Sequence, residues 1–426
     1  MFYAKGFIDL DYKPKKTDLV ALFRVEPNGV PMKEACGAVA AESSVGTWTH
    51  LTTSNESVME KRARVFEING NYCKVAYPVE LFEGGNMPQI LSSVAGNIFG
   101  MKVIKKLRLE DISFPEEIIK SFRGPKYGLE GVREIVGVYD RPLVGTIVKP
   151  KLGLNESQHA KVAYESWVGG LDLCKEDENL ASMKFNKFEK RVETSLQLRE
   201  KAEDETGETK VYLPNVTGEV NEMLGRAEFV KEHGGKCVMV DILTTGWGGL
   251  QTLREKTEGL GLILHAHRAG HAAFTRDNTH GISMLVVAKV AKVIGVDQLH
   301  IGTAHVGKME GSSIDVKTIE DEMEENKLDS DDERRLLAQD WYGTKPVFAV
   351  ASGGLHPGSV PKLIERMGTN IIAQFGGGCH GHPNGTRAGA KAIRQAVDAI
   401  INGEELNEYA SSHKELAQAI EKWGIV

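Results

Sequence analysis

Long apolar runs, clustered cysteines and a surplus of basic residues are all missing from this 426-residue sequence. Each absence removes a class of function. No stretch approaches the roughly 18 apolar residues that a membrane-crossing helix needs. The first residues, Met1-Phe2-Tyr3-Ala4-Lys5, lack the pattern of a secretory leader, so a cytoplasmic protein with no membrane partner is expected. Cys36, Cys73, Cys174, Cys237 and Cys379 stand far apart, without the short spacings that hold zinc, and read as reduced thiols. Lys and Arg number 52 against 59 Asp and Glu, for a formal net charge of −7. That balance favours solubility and disfavours a nucleic-acid surface.

What is present is ordinary in bulk and unusual in placement. Apolar residues make up 41% and charged residues 26%, as in a globular protein, and the length suggests two domains. Up to residue 136 the pattern is mixed. Strands are expected at 7–12, 19–25, 47–53, 64–68, 73–78 and 103–109, with helices near 33–41 and 88–98. This order predicts a small α+β domain, ferredoxin-like, over 1–136, closing in a helical connector at 115–140.

A different rhythm fills 137–426. Apolar strand candidates at 143–149, 170–175, 210–215, 236–242, 262–267, 298–303, 346–351 and 370–376 alternate with helical patterns. Many of the helices leave through glycine, as at Gly169-Gly170, Gly234-Gly235, Gly261 and Gly368. Eight such units predict an α/β fold, a (β/α)8 TIM barrel with its helices outside. The acid-rich stretch 315–340 reads as a helical insertion with a solvated face.

Barrel active sites lie at the C-terminal ends of the strands, and here those ends are crowded with chemistry. The first strand closes in Lys149-Pro150-Lys151 and the second in Lys175-Glu176-Asp177-Glu178. Alternation along a strand points Lys175 and Asp177 the same way, and Glu178 can join them beyond the turn. Two carboxylates at one mouth suit a hard cation such as Mg2+. The lysine either neutralises them in a salt bridge or is converted into an oxygen ligand itself. The fifth strand ends in His265-Ala266-His267-Arg268 with His271 beyond, and the sixth carries His300 and then a glycine-bounded loop with Lys308. Ser352-Gly353-Gly354 and Gly376-Gly377-Gly378 end the last two strands, where barrels commonly bind phosphate. A glycine triplet alone is usually a turn, and a lone strand-end histidine is usually a rim residue. Their convergence on one barrel face implies a substrate with a phosphate at each end and a metal between.

These residues resemble the large subunit of ribulose-1,5-bisphosphate carboxylase/oxygenase (RuBisCO), over nearly the whole chain. The stretch 145–154 (GTIVKPKLGL) looks like the family's strand-one lysine motif, and 169–179 matches its activation motif. There the resemblance implies an activating CO2 held as a carbamate on Lys175, with Lys175, Asp177 and Glu178 as Mg2+ ligands. It implies catalytic roles for Lys149, Lys175, His267 and Lys308. Lys151 would polarise the substrate, Arg268 and His300 would hold one phosphate, and Ser352 would contact a hydroxyl. Thr47, Gly354, Gly376 and Gly377 would hold the other phosphate, with Gly353 and Gln374 beside them. Glu42, Trp48 and Asn97 belong to segments, 41–48 and 95–97, that reach a partner subunit's site in the family.

The implied activity is Mg2+-dependent carboxylation, and oxygenation by O2, of ribulose-1,5-bisphosphate to 3-phosphoglycerate. A mobile loop one residue longer than the plant pattern, Ile147 in place of threonine and Glu176 in place of aspartate look most like the archaeal form III type. That type lacks small subunits, works in nucleotide (AMP) salvage and forms homodimers with shared sites, sometimes stacked into rings. The competing readings are a RuBisCO-like enolase-type isomerase of sulfur salvage and a non-catalytic phosphosugar-binding protein.

Overall fold

A computed structural model describes residues 3–307 and 313–426 of the chain. They form two compact units, one of 1–124, 270–294 and 325–344 and one of 125–269, 295–324 and 345–426.

The first unit is built on a five-stranded sheet. Leu19–Pro27 lies between Ile104–Ser113 and Tyr72–Tyr77, both antiparallel to it, with Arg64–Asn69 antiparallel beyond Tyr72–Tyr77. The two-residue strand Gly281–Ile282 runs parallel to Ile104–Ser113 on the other edge. Phe23, Val25, Val75, Tyr77, Leu107 and Leu109 are buried, and so is most of the helix Met32–Glu42. Two expected strands are absent. Residues 7–12 follow a 3-10 helix, Tyr3–Phe7, and meet the sheet only in a bridge from Ile8 to Val65. Residues 47–53 are turns, bends and coil, and their two large apolar side chains, Trp48 and Leu51, are exposed.

The second unit is the barrel. Among the described residues its eight parallel strands are Leu143–Ile147, Leu173–Lys175, Val211–Leu213, Cys237–Asp241, Ile263–His267, Gln298–His300, Phe348–Ser352 and Ile371–Phe375. Neighbours in the chain pair in parallel, except the third and fourth, and the eighth pairs with the first. A bridge between Asn215 and Met239 joins the third strand to the fourth. Seven lie within their expected segments, and the seventh strand, Phe348–Ser352, runs one residue beyond 346–351. The stretch 315–340 departs from its expectation. It holds the helix Ser313–Glu324, and in the first unit a small hairpin of Lys327–Leu328 with Gln339–Asp340. Val316, Ile319 and Met323 are buried, so one face of that helix packs inward.

The barrel floor is closed by the helix Gly128–Val136. Its Leu129, Val132 and Val136 pack with Leu143, Leu173, Val211, Leu213, Met239, Phe348 and Ile372. Gly128 has φ +61°, and a Cβ there would sit 2.5 Å from the Pro346 oxygen, so the chain can approach that strand only as glycine. Asp297 ties floor to strands by accepting from the backbone N–H groups of Tyr127, Gly128 and Leu264. A cavity of about 610 Å3 opens beside this floor, lined in part by Asp140, Arg141, Asp172, Glu208 and Arg394. It lies at the N-terminal ends of the strands, and its cations are already paired. Arg141 holds both oxygens of Asp172 at 2.7 Å, and Arg394 lies 3.3 Å from Glu208 and 3.1 Å from Asp398.

The Arg141–Asp172 pair is almost fully buried, so removing one partner strands a charge. Arg141→Leu is expected to destabilise the barrel by about 3–5 kcal/mol. The double variant Arg141→Leu/Asp172→Leu should lose less. Melting temperatures of both variants check this, and equal losses would refute it.

Candidate active site

The second strand sorts its charges by alternation. Lys175 faces the barrel interior and is completely buried. Its Nζ donates to the backbone oxygen of Glu176 at 2.8 Å and lies 3.6 Å from Glu178 Oε2. Burial lowers its pKa below the usual lysine value, against the opposing pull of Glu178, Asp241 and Asp177. The acids alone would hold the amine protonated; desolvation outweighs them and moves it toward the neutral form.

Glu176, next in sequence, points the other way, into the layer between strands and helices. Its two oxygens take Arg191 Nε and Nη2 at 2.6 and 3.0 Å. They also accept from Tyr212 Oη and from the backbone N–H of Asn215. Burial pushes the Glu176 carboxyl up, but Arg191 outweighs it and the net shift is downward. This clamp fixes the strand end that carries Lys175 and Asp177. Its signal in the sequence was the departure from aspartate at Glu176; nothing singled out Arg191, since a helix arginine fifteen residues on looks like any surface cation.

Asp177 returns to the mouth. Lys149, at the end of the first strand, donates to its Oδ2 at 2.5 Å, and Asn179 donates to its Oδ1 from backbone and side chain. Burial raises its pKa, and the hydrogen bonds from Lys149 and Asn179 bring the net shift below the ordinary value. Glu178 shifts in the same direction, burial being outweighed by the nearby Lys175 and His267.

From the fifth strand, His267 donates Nδ1–H to Asp241 Oδ1 at 2.6 Å, because a carboxylate can only accept. Its Nε2 lies 3.7 Å from Glu178 Oε2, beyond hydrogen-bond range. Asp241 was overlooked in the sequence, although an acid closing the apolar run Val238-Met239-Val240 is the same signal that marked the second strand. Arg268 makes no hydrogen bond or ion pair among the described residues, and burial lowers its pKa to about 10. A desolvated guanidinium without a carboxylate suits an anionic ligand. His300 Nδ1 sits 2.7 Å from Ser352 Oγ, and burial holds its pKa well below the usual value.

The glycine ends of the last strands follow. Gly353 and Gly354 have φ +119° and +81°, a region closed to other residues without strain. A Cβ on Gly376 would lie 3.4 Å from Lys149 Cε, which puts the two ends beside each other. Gln374 is fully buried in register with Ser352, and both its side-chain polar atoms lack partners among the described residues. Gly377 is exposed and Gly353 half-buried. Lys151 is exposed and makes no side-chain hydrogen bond or ion pair among the described residues. Lys308 lies outside the described residues. Glu42, Thr47, Trp48 and Asn97 belong to the first unit. Glu42 ends the helix Met32–Glu42, Trp48 is 77% exposed and Asn97 opens a 3-10 helix. The barrel mouth thus gathers Lys149, Lys175, Asp177, Glu178 and His267, with His300 and Ser352 joined to each other.

Comparison with known proteins gives the family. Residues 6–118 match the family model for the ribulose bisphosphate carboxylase large chain, N-terminal domain, and residues 128–423 the model for its catalytic domain. A ribulose bisphosphate carboxylase of Methanosarcina mazei is 53% identical over 424 residues, covering 98% of this chain and 99% of that protein. One from Methanocaldococcus jannaschii is 50% identical over 427 residues, again 98% and 99%. Among solved structures, the dimeric archaeal Rubisco of Hyperthermus butylicus matches with a TM-score of 0.94 at 47% identity and covers each chain fully. The octameric enzyme of Pyrococcus horikoshii, in complex with sulfate, matches at 0.93 and 49% identity over 99% and 97% of the two chains. With the two family models matching nearly the whole chain and about half of its residues shared with these relatives, the chain belongs to the ribulose bisphosphate carboxylase large-chain family.

Proposed function

We propose that this chain carboxylates ribulose-1,5-bisphosphate, consuming CO2 and water and releasing two molecules of 3-phosphoglycerate. The observation that carries the reading is Lys175, an amine with no exposed surface set between strand-end carboxylates and moved toward its neutral form.

Among the described residues no three His, Cys, Asp or Glu side chains cluster to hold a metal. Asp177 and Glu178 offer two carboxylates, and Mg2+ takes oxygen ligands, not amines. Attack of the neutral Lys175 nitrogen on CO2 forms an N–C bond and releases one proton, leaving a carbamate. With that change Lys175, Asp177 and Glu178 become three oxygen donors at one strand end and fit Mg2+. Bound there, the ion supplies Lewis acidity to the substrate's oxygens.

The chain's own groups carry the remaining work. The proton at C3 passes to Lys175 in its carbamylated form. CO2 joins C2 of the resulting enediolate, with Lys308 assigned to the new carboxylate. Water adds at C3, the C2–C3 bond breaks, and Lys149 protonates the C2 carbanion. His267, its Nδ1–H committed to Asp241, turns Nε2 to the substrate, and Lys151 adds charge at the rim. Arg268 takes one phosphate, since both ring nitrogens of His300 are engaged by His265 and Ser352. Thr47, Gly354, Gly376 and Gly377 take the other, next to Gly353 and Gln374. Glu42, Trp48 and Asn97 act across a homodimer, the assembly of the Hyperthermus butylicus relative, and the Pyrococcus horikoshii octamer supports rings of dimers. O2 competes with CO2 for the enediolate. A place in nucleotide salvage follows from the resemblance to the archaeal form III type.

Purified protein given Mg2+, labelled CO2 and ribulose-1,5-bisphosphate should accumulate acid-stable label in 3-phosphoglycerate; none would sink the reading. Lys175→Ala is expected to lose at least about a thousandfold in activity, the scale of losing a main electrostatic group. It should also lose CO2-dependent Mg2+ retention while keeping its melting temperature within a few degrees. Retained activity would exclude Lys175 as a ligand. Inactive Glu42→Gln and Lys175→Ala chains should regain activity on forming mixed dimers. Mixed dimers that form and stay inactive would rule out shared sites.

A further inference from the structure

Four side chains cross the barrel interior in an unbroken line that ends at the mouth. Gln298 opens the sixth strand, in register with His265 on the fifth, and both are completely buried. Gln298 Oε1 lies 2.7 Å from His265 Nδ1. His265 Nε2 lies 2.9 Å from His300 Nε2, with the rings at 89° to each other. His300 Nδ1 then meets Ser352 Oγ at 2.7 Å.

The hydrogen order of such a line is set by its first member. Burial holds both imidazoles neutral, lowering His265 to about 3, so each ring carries one N–H. An amide oxygen only accepts, so His265 keeps its proton on Nδ1. Its Nε2 is then a lone pair, and His300 must donate from Nε2. That leaves His300 Nδ1 as a lone pair, which takes the O–H of Ser352. Ser352 Oγ, its hydrogen used inward, presents only lone pairs to the mouth. With the amide turned round, every bond would reverse and Ser352 would point a hydrogen outward. Gln298 Nε2, the other end of the amide, has no partner in the structure.

We propose that Gln298 is a positioning residue that fixes the tautomers of His265 and His300 and so makes Ser352 an acceptor for a substrate hydroxyl. The last link rests on the reading of Ser352 as a substrate contact given above. Gln298 touches no reacting atom; it acts through two rings.

Neutron diffraction on the whole protein reads the proton order directly, without turnover. Hydrogen is expected on His265 Nδ1 and His300 Nε2 alone, and hydrogen on His300 Nδ1 would overturn the proposal. Gln298→Met keeps the length and removes the acceptor. It should raise KM for ribulose-1,5-bisphosphate up to about tenfold, the scale of one hydrogen bond. In the Ser352→Ala background the same change should add almost nothing, because the path to substrate is already cut. Additive losses would also overturn it, marking Gln298 as merely structural. A wild-type protein that fixes no CO2 would count against the functional reading alone, since the imidazole protonation decides the proton order by itself.

Discussion

Desolvation of the Lys175 amine is the constraint on which the rest of the mouth depends. A lysine with no exposed surface is costly as an ammonium, and the strand end provides no full ion pair for it: Glu178 stands at 3.6 Å. Asp177, which could have been that partner, is taken by Lys149. The barrel therefore keeps one amine in competition between charge and neutrality. Only a neutral amine attacks CO2, so the same burial that strains the site prepares its chemistry.

Such a group needs a rigid support, and the structure supplies one behind the strand. Glu176 is as buried as Lys175 but fully satisfied, by Arg191, Tyr212 and the Asn215 backbone. Tyr212 in turn meets His159 and packs edge-on against Trp167 of the neighbouring helix. Consecutive residues thus do opposite work: one carboxylate anchors the strand to the helical layer, and its neighbours are turned into the mouth. A one-residue slip would exchange the two sets, so register here is also function.

How much of this was legible in the sequence depended on whether periodicity or partners decided the outcome. The eight barrel strands were readable because parallel strands buried on both faces are continuous apolar runs. Residues 47–53 are rich in threonine, a strand-favouring residue, yet bury neither Trp48 nor Leu51 and form no strand. The acids of 315–340 masked the spacing of Val316, Ile319 and Met323, which marks a buried helix face. At the site, strand-end clusters were visible, whereas Asp241, Arg191 and Gln298 were not. Each of those three acts on a residue at least fifteen positions away, through contacts that only the closed barrel creates. The carbamate itself came from resemblance; composition and spacing led no further than a choice between a salt bridge and a metal ligand.

The two ends of the barrel show the same division in their charges. At the floor, Arg141 and Asp172 close on each other in bidentate fashion, and Asp297 is satisfied by three backbone N–H groups. Nothing there asks for a further ion. At the mouth, Arg268 is desolvated with no carboxylate partner among the described residues, and Lys151 stands exposed. Those cations are held in place by covalent position at strand ends, with little internal neutralisation. A ligand bearing a phosphate at each end would supply the missing negative charge, and its binding energy would come from desolvation already endured in the folded protein. The imbalance is therefore better understood as preorganisation than as a defect of packing: the floor spends its ion pairs on stability, and the mouth leaves its cations for the substrate.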